Sequence, residues 1–140
     1  MLSDSLLAAF AELGIKPEHK DGLYSFEYEY VPMMLAFGLE DGRPYYFVAA
    51  QVYDPLDGAM DHDMFDIALD VVQGFHQVDG DWNDGGPYIS TRPVWLDGDV
   101  VPADELKAQI DECSQAFAFM EANICLVNES FNQPDKTEQP

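Results

Sequence analysis

Two short segments of the chain concentrate the residues that are best suited to holding a divalent cation. The first spans residues 54–66 and contains five aspartates and one histidine: Asp54, Asp57, Asp61, His62, Asp63 and Asp66. His62 and Asp66 stand four apart, so a helix would bring them to one face, where nitrogen and oxygen ligands can share a cation. The same residues are also typical of a solvated helix start, because aspartates cap and stabilise a first turn.

The second segment spans residues 79–84 and contains three aspartates: Asp79, Asp81 and Asp84. An EF-hand calcium loop needs Gly at its sixth position and Glu at its twelfth. The twelfth position falls on Ser90 if the loop begins at Asp79, and on Arg92 if it begins at Asp81. The sequence therefore excludes an EF-hand and leaves an irregular calcium site as the alternative.

Residues for nucleophilic catalysis are not arranged in any known motif. No serine lies in a nucleophile elbow. Cys113 falls on the apolar seam of a predicted helix, where a thiol is buried and inert. His19 is expected in a loop and His76 near a helix end, positions typical of surface or core-edge histidines. We therefore predict a protein that is not an enzyme, with no catalytic residue and no cofactor.

The charge of the chain limits its partners. Its 140 residues include 27 acidic and 6 basic side chains, which give a net charge of −21. Nucleic acids are bound by Lys and Arg that displace counterions, and anionic membranes attract the same residues. The charge therefore excludes nucleic acid and membrane surfaces. It suits a soluble protein that meets basic or weakly polar partners.

The N-terminus and the cysteines indicate a compartment. The first residues lack the basic and apolar regions of a signal peptide, and no apolar run approaches the roughly 20 residues of a spanning helix. Cys113 and Cys125 stand on one predicted helix, about 18 Å apart, whereas a disulfide allows at most about 7 Å between Cα atoms. The two cysteines therefore cannot pair within the chain, and we predict a cytoplasmic protein.

The spacing of apolar residues predicts the elements that must position these side chains. Helices are expected over residues 3–13, 64–77 and 103–126, and strands over residues 24–30, 33–39, 45–53 and 88–96. Pro32 lacks a backbone donor, so a tight turn is expected around residues 30–32. The Gly, Pro and Asp residues of the stretch 78–87 predict a loop there.

This order, α-βββ-α-β(β)-α, predicts an α+β fold in which helices cover an antiparallel meander. We place a single domain at residues 1–127 and a flexible polar tail at residues 128–140. The third strand is apolar on both faces, since Tyr46 and Val48 alternate with Tyr45 and Phe47. A sheet that is apolar on both sides usually has a second cover, often another subunit, and this predicts a homodimer.

The layout of the chain resembles the type III secretion chaperone-like fold, including the related YbjN-type domains. The resemblance covers about residues 3–126 and includes Phe26-Glu27-Tyr28-Glu29 leading into Val31-Pro32-Met33, and Tyr88 to Leu96 followed by a turn into the last helix. The chain departs from that layout in residues 79–87, where those families keep a shorter connection. The resemblance implies a homodimeric binding protein without catalysis that holds an extended client segment on apolar surface.

We therefore expect a non-catalytic, protein-binding homodimer of the chaperone or adaptor kind. A divalent-cation-binding module or cation-dependent enzyme, built on residues 54–66 or 79–84, is the alternative. A further alternative is an acidic immunity or regulatory protein that neutralises a basic partner through charge complementarity.

Overall fold

The computed structural model describes residues 2–52, 62–83 and 86–132 of the chain. The three helices are α1 (Leu2–Glu12), α2 (His62–Gln73) and α3 (Ala103–Asn132). The strands are β1 (Glu18–Lys20), β2 (Leu23–Tyr28), β3 (Val31–Glu40), β4 (Arg43–Gln51), β5 (Val78–Asn83), β6 (Gly86–Thr91) and β7 (Val94–Trp95). The predicted α+β fold is confirmed.

The described strands form one antiparallel sheet of seven, in the order β1-β2-β3-β4-β6-β5, and the short β7 also pairs with β4. The first four strands are a meander, as the sequence predicts. β4 pairs with β6 from Ala49 to Gln51 and with β7 at Tyr45 and Tyr46. On the edge of β4 that faces away from β3, the pairing partner therefore changes from β7 to β6 about half way along the strand.

All three helices contribute to one core on the same face of the sheet. β4 and the residue that follows it supply every second residue to this core, as the alternation of a strand requires: Tyr46, Val48, Ala50 and Val52. α3 supplies a seam with spacings of four and three: Leu106, Ile110, Cys113, Phe117, Met120 and Ile124. The seam predicted for the last helix is therefore confirmed.

Two-residue turns connect the meander, and one of them is built from unusual residues. The β1–β2 and β3–β4 turns are Asp-Gly pairs at residues 21–22 and 41–42, and both residues of each pair have positive φ, as type I′ turns require. The β2–β3 turn has the same geometry but uses Glu29 (φ 50°) and Tyr30 (φ 68°). A left-handed backbone costs such residues about 1–2 kcal/mol each.

The turn predicted at residues 30–32 lies instead at Glu29–Tyr30, and Pro32 is part of β3. Pro32 pairs with Glu27, one position beyond the closing pair of the turn. Successive pairs alternate between hydrogen-bonded and non-hydrogen-bonded, so the missing N–H of Pro32 would point away from β2. On that side β4 pairs with β3 only from Met34 onward, and the proline therefore removes no ladder bond.

The prediction of a loop over residues 78–87 is wrong, because the described residues of this stretch form β5 and the start of β6, which pair in an antiparallel ladder. A Cβ on Gly80 would lie 2.9 Å from Leu69 Cδ2, so the glycine allows α2 to pack directly on the strand. Asp79 and Asp81 face away from the helices on this outermost strand, where charges discourage pairing with another sheet. Gly and Asp have low β propensity, but both are useful at a sheet edge.

Three further boundaries differ from the sequence prediction. β1 was not predicted, and the strand expected at residues 88–96 is divided into β6 and β7 around Pro93. α3 continues to Asn132, so the first part of the predicted tail is helical, while residues 133–140 lie outside the described part. None of the described helices has the length and apolar character needed to cross a membrane.

Candidate functional site

The first aspartate-rich segment lies partly outside the part of the chain that the structure describes. Three of its residues are not described: Asp54, Asp57 and Asp61. His62 stacks on the ring of Trp82, with centroids 4.0 Å apart, and Asp63 and Asp66 are exposed on α2. Within residues 2–52, 62–83 and 86–132, no three His, Cys, Asp or Glu side chains are grouped so that they could hold a metal ion.

The second aspartate-rich segment extends along β5 rather than curling around a point. Asp79 and Asp81 are exposed on one face of the strand, about 6–7 Å apart along it. Asp84 lies outside the described residues. The described residues of this segment therefore do not assemble the six or so oxygen ligands that calcium takes.

Cys113 is buried in the core, whereas Cys125 on α3 and His19 on β1 are exposed. Both Cys113 and Cys125 are free, as their separation along one helix predicts. Burial, aided by the charge of Glu112, raises the pKa of Cys113 to about 12, so its thiol stays protonated at neutral pH. His19 stacks on Tyr24 with ring centroids 4.2 Å apart.

A polar network ties the end of β2 to α3. The Tyr28 hydroxyl donates to Asp111 Oδ1 at 2.6 Å, and Lys107 Nζ donates to Asp111 Oδ2 at 2.7 Å. Burial opposes the ionisation of Asp111, but the two hydrogen bonds outweigh it and lower the pKa of this carboxyl. The hydrogen bond to Asp111 and burial raise the pKa of Tyr28. All three groups therefore keep their ordinary protonation states at neutral pH, which suits a structural tie.

The face of the sheet opposite the helices is apolar in its middle, and no described helix covers it. We call it the uncovered face and define it by six residues of β3 and β4: Met34, Ala36, Gly38, Tyr45, Phe47 and Ala49. None of the six is charged. Met34 is 38% exposed, and Phe47 is half-buried between its neighbours. The second apolar face that the sequence predicts for these strands is therefore present.

Aromatic side chains shape one end of the uncovered face. A Cβ on Gly38 would lie 2.1 Å from Tyr45 Cζ, so the Tyr45 ring lies directly over this glycine of the neighbouring strand. Trp95 of β7 packs beside Tyr45 with ring centroids 5.0 Å apart, and the Arg43 guanidinium lies 5.5 Å from the Trp95 centroid. This end of the face is a preformed aromatic cluster with a cation at its border.

A hollow of about 200 Å³ lies beside Met34, at the end of β4 that is flanked by β3 and β6. Its lining is mostly apolar: Met34, Phe47, Ala49, Ala50, Gln51 and Tyr88. The Gln51 side chain donates to the Pro87 carbonyl at 2.8 Å, which holds the amide at the border of the hollow. A hollow of this size and lining fits an apolar side chain from a partner.

The charges on this side of the sheet lie at its edge strands and at the turn end of β3 and β4, where Glu40 pairs with Arg43. In the register of the strands, Glu18, Lys20 and Glu27 belong to the β1–β2 edge. Asp79 and Asp81 belong to the β5 edge. The uncovered face thus has an uncharged middle and a charged border.

A second apolar surface lies on the helix side of the molecule, in a groove of about 650 Å³ along α3. We call it the helix groove, and its lining residues come mostly from α3: His76, Gln115, Ala118, Phe119, Ala122, Asn123 and Leu126. Phe75 is 71% exposed and stacks on Phe119 with ring centroids 5.4 Å apart. His76 donates a hydrogen bond from Nδ1 to the Glu112 carboxylate at one end of the groove.

An exposed apolar stripe of α2 continues the helix groove. Ile67 and Val71 stand one turn apart and are 44% and 41% exposed, and Phe75 follows four residues later. Leu69, on the other flank of α2, approaches Gly80 of β5. Helical geometry therefore places Ile67 and Val71 on the flank that faces away from β5. The stripe and the groove meet at Phe75.

The sequence does not predict the helix groove. A helix over residues 64–77 would bury Phe75 on its apolar face. α2 ends at Gln73 instead, and the backbone N–H of Phe75 donates to the Val72 carbonyl at 2.9 Å in the turn that follows. Gly74 is the signal that could have located this end, because helices commonly stop at a glycine.

Comparisons with known proteins support the fold alone. No protein-family model matches the chain, and no curated protein matches it. The fold is similar to that in the crystal structure of an uncharacterized protein from Methanothermobacter thermautotrophicus, with a TM-score of 0.56. The two chains are 14% identical, and the similarity covers 94% of this chain and 100% of the other. The architecture is therefore shared with a distant protein.

Proposed function

We propose that the protein is a non-catalytic, acidic homodimer that binds another protein, as a chaperone or adaptor does. The uncovered face is the observation that supports this proposal, because it is apolar, uncharged and lies on the side of the sheet that no described helix covers. A contiguous apolar surface on a soluble protein marks an interaction site.

The lack of charge on the uncovered face permits a second copy to cover it, although the two copies as a whole repel each other. Each copy carries a net charge of −21, so the surfaces that meet must be free of carboxylates, or like charges would be desolvated together. The six residues of the uncovered face meet this condition. Acidic residues at the border, such as Asp79 and Asp81, stay in water, where salt screens them over about 10 Å. A sheet face can pack on its own copy by two-fold symmetry.

Dimerisation through the uncovered face would leave both helix layers on the outside. Each copy would then present one helix groove to a client protein. The acidic surface would keep the free dimer soluble and speed its association with a basic partner. The apolar surface used for the client and the one used for the dimer are thus different.

Sedimentation velocity over a wide range of concentration tests the dimer. We expect the molar mass of the sedimenting wild-type species to be twice the 15.7 kDa mass of the chain. Met34→Glu puts a charge in the middle of the uncovered face and should yield a folded monomer. The matched control is Leu7→Glu on α1, which adds the same charge at a 44% exposed position on the helix side and should leave the dimer intact.

A wild-type monomer at every concentration would contradict the dimer. A Met34→Glu variant that remains dimeric would contradict the assignment of the dimer to the uncovered face. Circular dichroism establishes that both variants are folded. If Met34→Glu unfolds, Met34→Gln serves in its place and should weaken the dimer without adding a charge.

A further inference from the structure

The helix groove has the length of a helical binding site. It follows α3 from Gln115 to Leu126, which corresponds to about 16 Å along the helix axis and matches about three turns of a partner helix. Ala118 and Ala122 leave space between the larger Phe119 and Leu126. Proteins that bind a helix in a groove receive apolar anchors spaced by one and two helical turns.

Phe75 gives the groove a preformed anchor point. Its ring is 71% exposed, yet it is held against the Phe119 ring by stacking at 5.4 Å. An aromatic ring that is already ordered loses little entropy when a partner packs on it. The exposed stripe of Ile67 and Val71 on α2 extends the apolar surface beyond this point.

The charges around the helix groove are acidic. Glu112 lies one turn before Gln115 on α3, Glu129 lies about one turn after Leu126, and Asp70 borders the α2 stripe. Of the described residues that line the groove, none is Lys or Arg. A helix that lies in the groove would therefore place its polar flanks against carboxylates, and Lys or Arg on those flanks would be favoured.

The same charges argue against the three helices of a second copy as the occupant. α1 and α2 contain no Lys or Arg, and the one basic residue of α3, Lys107, donates to Asp111. A helix from a second copy would thus bring carboxylates against carboxylates. The last eight residues, Gln133–Pro140, contain no aliphatic or aromatic side chain that could fill an apolar groove.

We propose that the helix groove binds an amphipathic helix of another protein, with an apolar face and with Lys or Arg on both flanks. This inference rests on the proposed protein-binding function and names the chemistry of the partner. It uses a surface that is separate from the uncovered face, so the two proposals can fail independently.

The test uses a fluorescently labelled synthetic peptide about four turns long, with Leu along one helical face and Lys on the remainder. A peptide of the same composition in scrambled order keeps the charge and loses the apolar face. A third peptide replaces every Lys with Glu. Fluorescence anisotropy should show binding of the ordered Leu/Lys peptide at least about tenfold tighter than the scrambled one, and no binding of the Leu/Glu peptide.

Matched variants locate the binding. The double substitution Phe75→Ser with Leu126→Ser removes two exposed apolar side chains from the groove and leaves the charge unchanged. It should weaken binding of the ordered peptide by about tenfold or more. The control pair, Leu7→Ser with Val100→Ser, removes side chains that are 44% and 62% exposed elsewhere and should leave binding unchanged.

Equal affinity for the ordered and the scrambled Leu/Lys peptides would overturn the inference, because charge alone would then explain the attraction. Loss of the dimer in the Phe75→Ser, Leu126→Ser variant would also overturn it, since the groove would then join two copies. An intact dimer that does not prefer the ordered peptide would overturn only the proposal that the helix groove binds a helix. A wild-type monomer that prefers the ordered peptide would overturn only the proposal of a dimer.

Discussion

Glu29 and Tyr30 hold the same left-handed backbone in the β2–β3 turn that Asp-Gly pairs adopt in the two neighbouring turns. Glycine reaches this conformation without a steric penalty, whereas a Cβ makes it unfavourable. The Tyr30 side chain is 93% exposed, so little packing offsets its backbone energy. The turn is therefore a place where a single residue lowers the stability of the fold.

Tyr30→Gly should raise the free energy of unfolding by about 1 kcal/mol, because glycine removes the left-handed penalty at an exposed site. Urea denaturation measures the change. The reverse substitution, Gly42→Ala at φ 77°, should lower the same quantity by about 1 kcal/mol, since an added Cβ there meets no atom within 4 Å and only the backbone is strained. A loss of stability in Tyr30→Gly would show that the tyrosine side chain contributes more than its exposure indicates.

Tyr46 carries a second unfavourable group. Its side chain is fully buried in the core, and its hydroxyl has no hydrogen-bond partner among the described residues. Burial, with a smaller contribution from Glu105, raises the pKa of Tyr46 above the ordinary value of 10.0. A buried hydroxyl without a partner costs about 1–3 kcal/mol.

Tyr46→Phe should raise the free energy of unfolding at neutral pH by about 1 kcal/mol, because it removes that hydroxyl. The difference should grow in alkali. In the unfolded chain Tyr46 ionises near pH 10.0, but in the folded protein it stays neutral to higher pH, so wild-type stability is complete below pH 10.0 and declines above it. Urea denaturation at neutral pH and about one unit above the ordinary tyrosine pKa measures both effects. An equal alkaline loss in wild type and variant would refute the assignment to Tyr46.

Among the elements, β4 needs a side-chain hydrogen bond at the point where its neighbouring strand changes from β7 to β6. Its backbone pairs with β6 from Ala49 onward and with β7 at Tyr46 and before, which leaves Phe47 and Val48 between the two ladders. The Val48 N–H donates to Thr91 Oγ1 at 2.9 Å, and Thr91 is buried. The threonine hydroxyl thus replaces a ladder acceptor at the junction.

Thr91→Val should lower the free energy of unfolding by about 1–3 kcal/mol, because it keeps the shape of the side chain and leaves a buried N–H without its acceptor. Thr91→Ser keeps the hydroxyl and should retain most of the stability. Hydrogen exchange followed by NMR should show faster exchange at the Val48 amide in the valine variant only. Slow exchange in both variants would mean that the hydroxyl is not the acceptor that protects this amide.

The elements also show where sequence patterns succeed and where they fail. The alternation of the meander and the seam of α3 are local patterns, so the sequence predicts them well. The sequence predicts a loop in place of β5, because Gly80 and its aspartate neighbours have low β propensity. The reason for the glycine is the close approach of Leu69, which stands in another element. A requirement set by a distant residue leaves no local signal.

The whole molecule carries an unusually high negative charge, which opposes compactness through repulsion between carboxylates. Any cation should therefore stabilise the folded state. A specific site would add to this effect by binding only the folded chain. The described residues contain no group of three metal-ligating side chains, and residues 53–61 lie outside them.

Raising the concentration of NaCl should increase the melting temperature, because screening weakens the repulsion. CaCl2 and MgCl2 at equal concentration should then raise it by equal amounts, since diffuse screening does not distinguish two divalent cations. Differential scanning fluorimetry measures all three. An increase with CaCl2 well beyond that with MgCl2 would contradict this expectation and point to a calcium site that includes residues 54–66.

The sequence by itself determines the α+β class, the meander, the long helix with its apolar seam, the impossibility of a disulfide within the chain and the strongly acidic character. These features follow from composition and from periodicity along neighbouring residues, which is information that a linear chain contains. It also shows that β4 is apolar on both faces, although it does not show which face the helices cover.

Only the tertiary structure decides which apolar residues are left at the surface. The helices lie on the face of Tyr46 and Val48, so Phe47 and Met34 remain on the uncovered face. The end of α2 before Phe75 and the packing of α2 on α3 create the helix groove. Exposure depends on which elements meet, and those contacts join residues far apart in the chain, so neither surface can be located from local patterns alone.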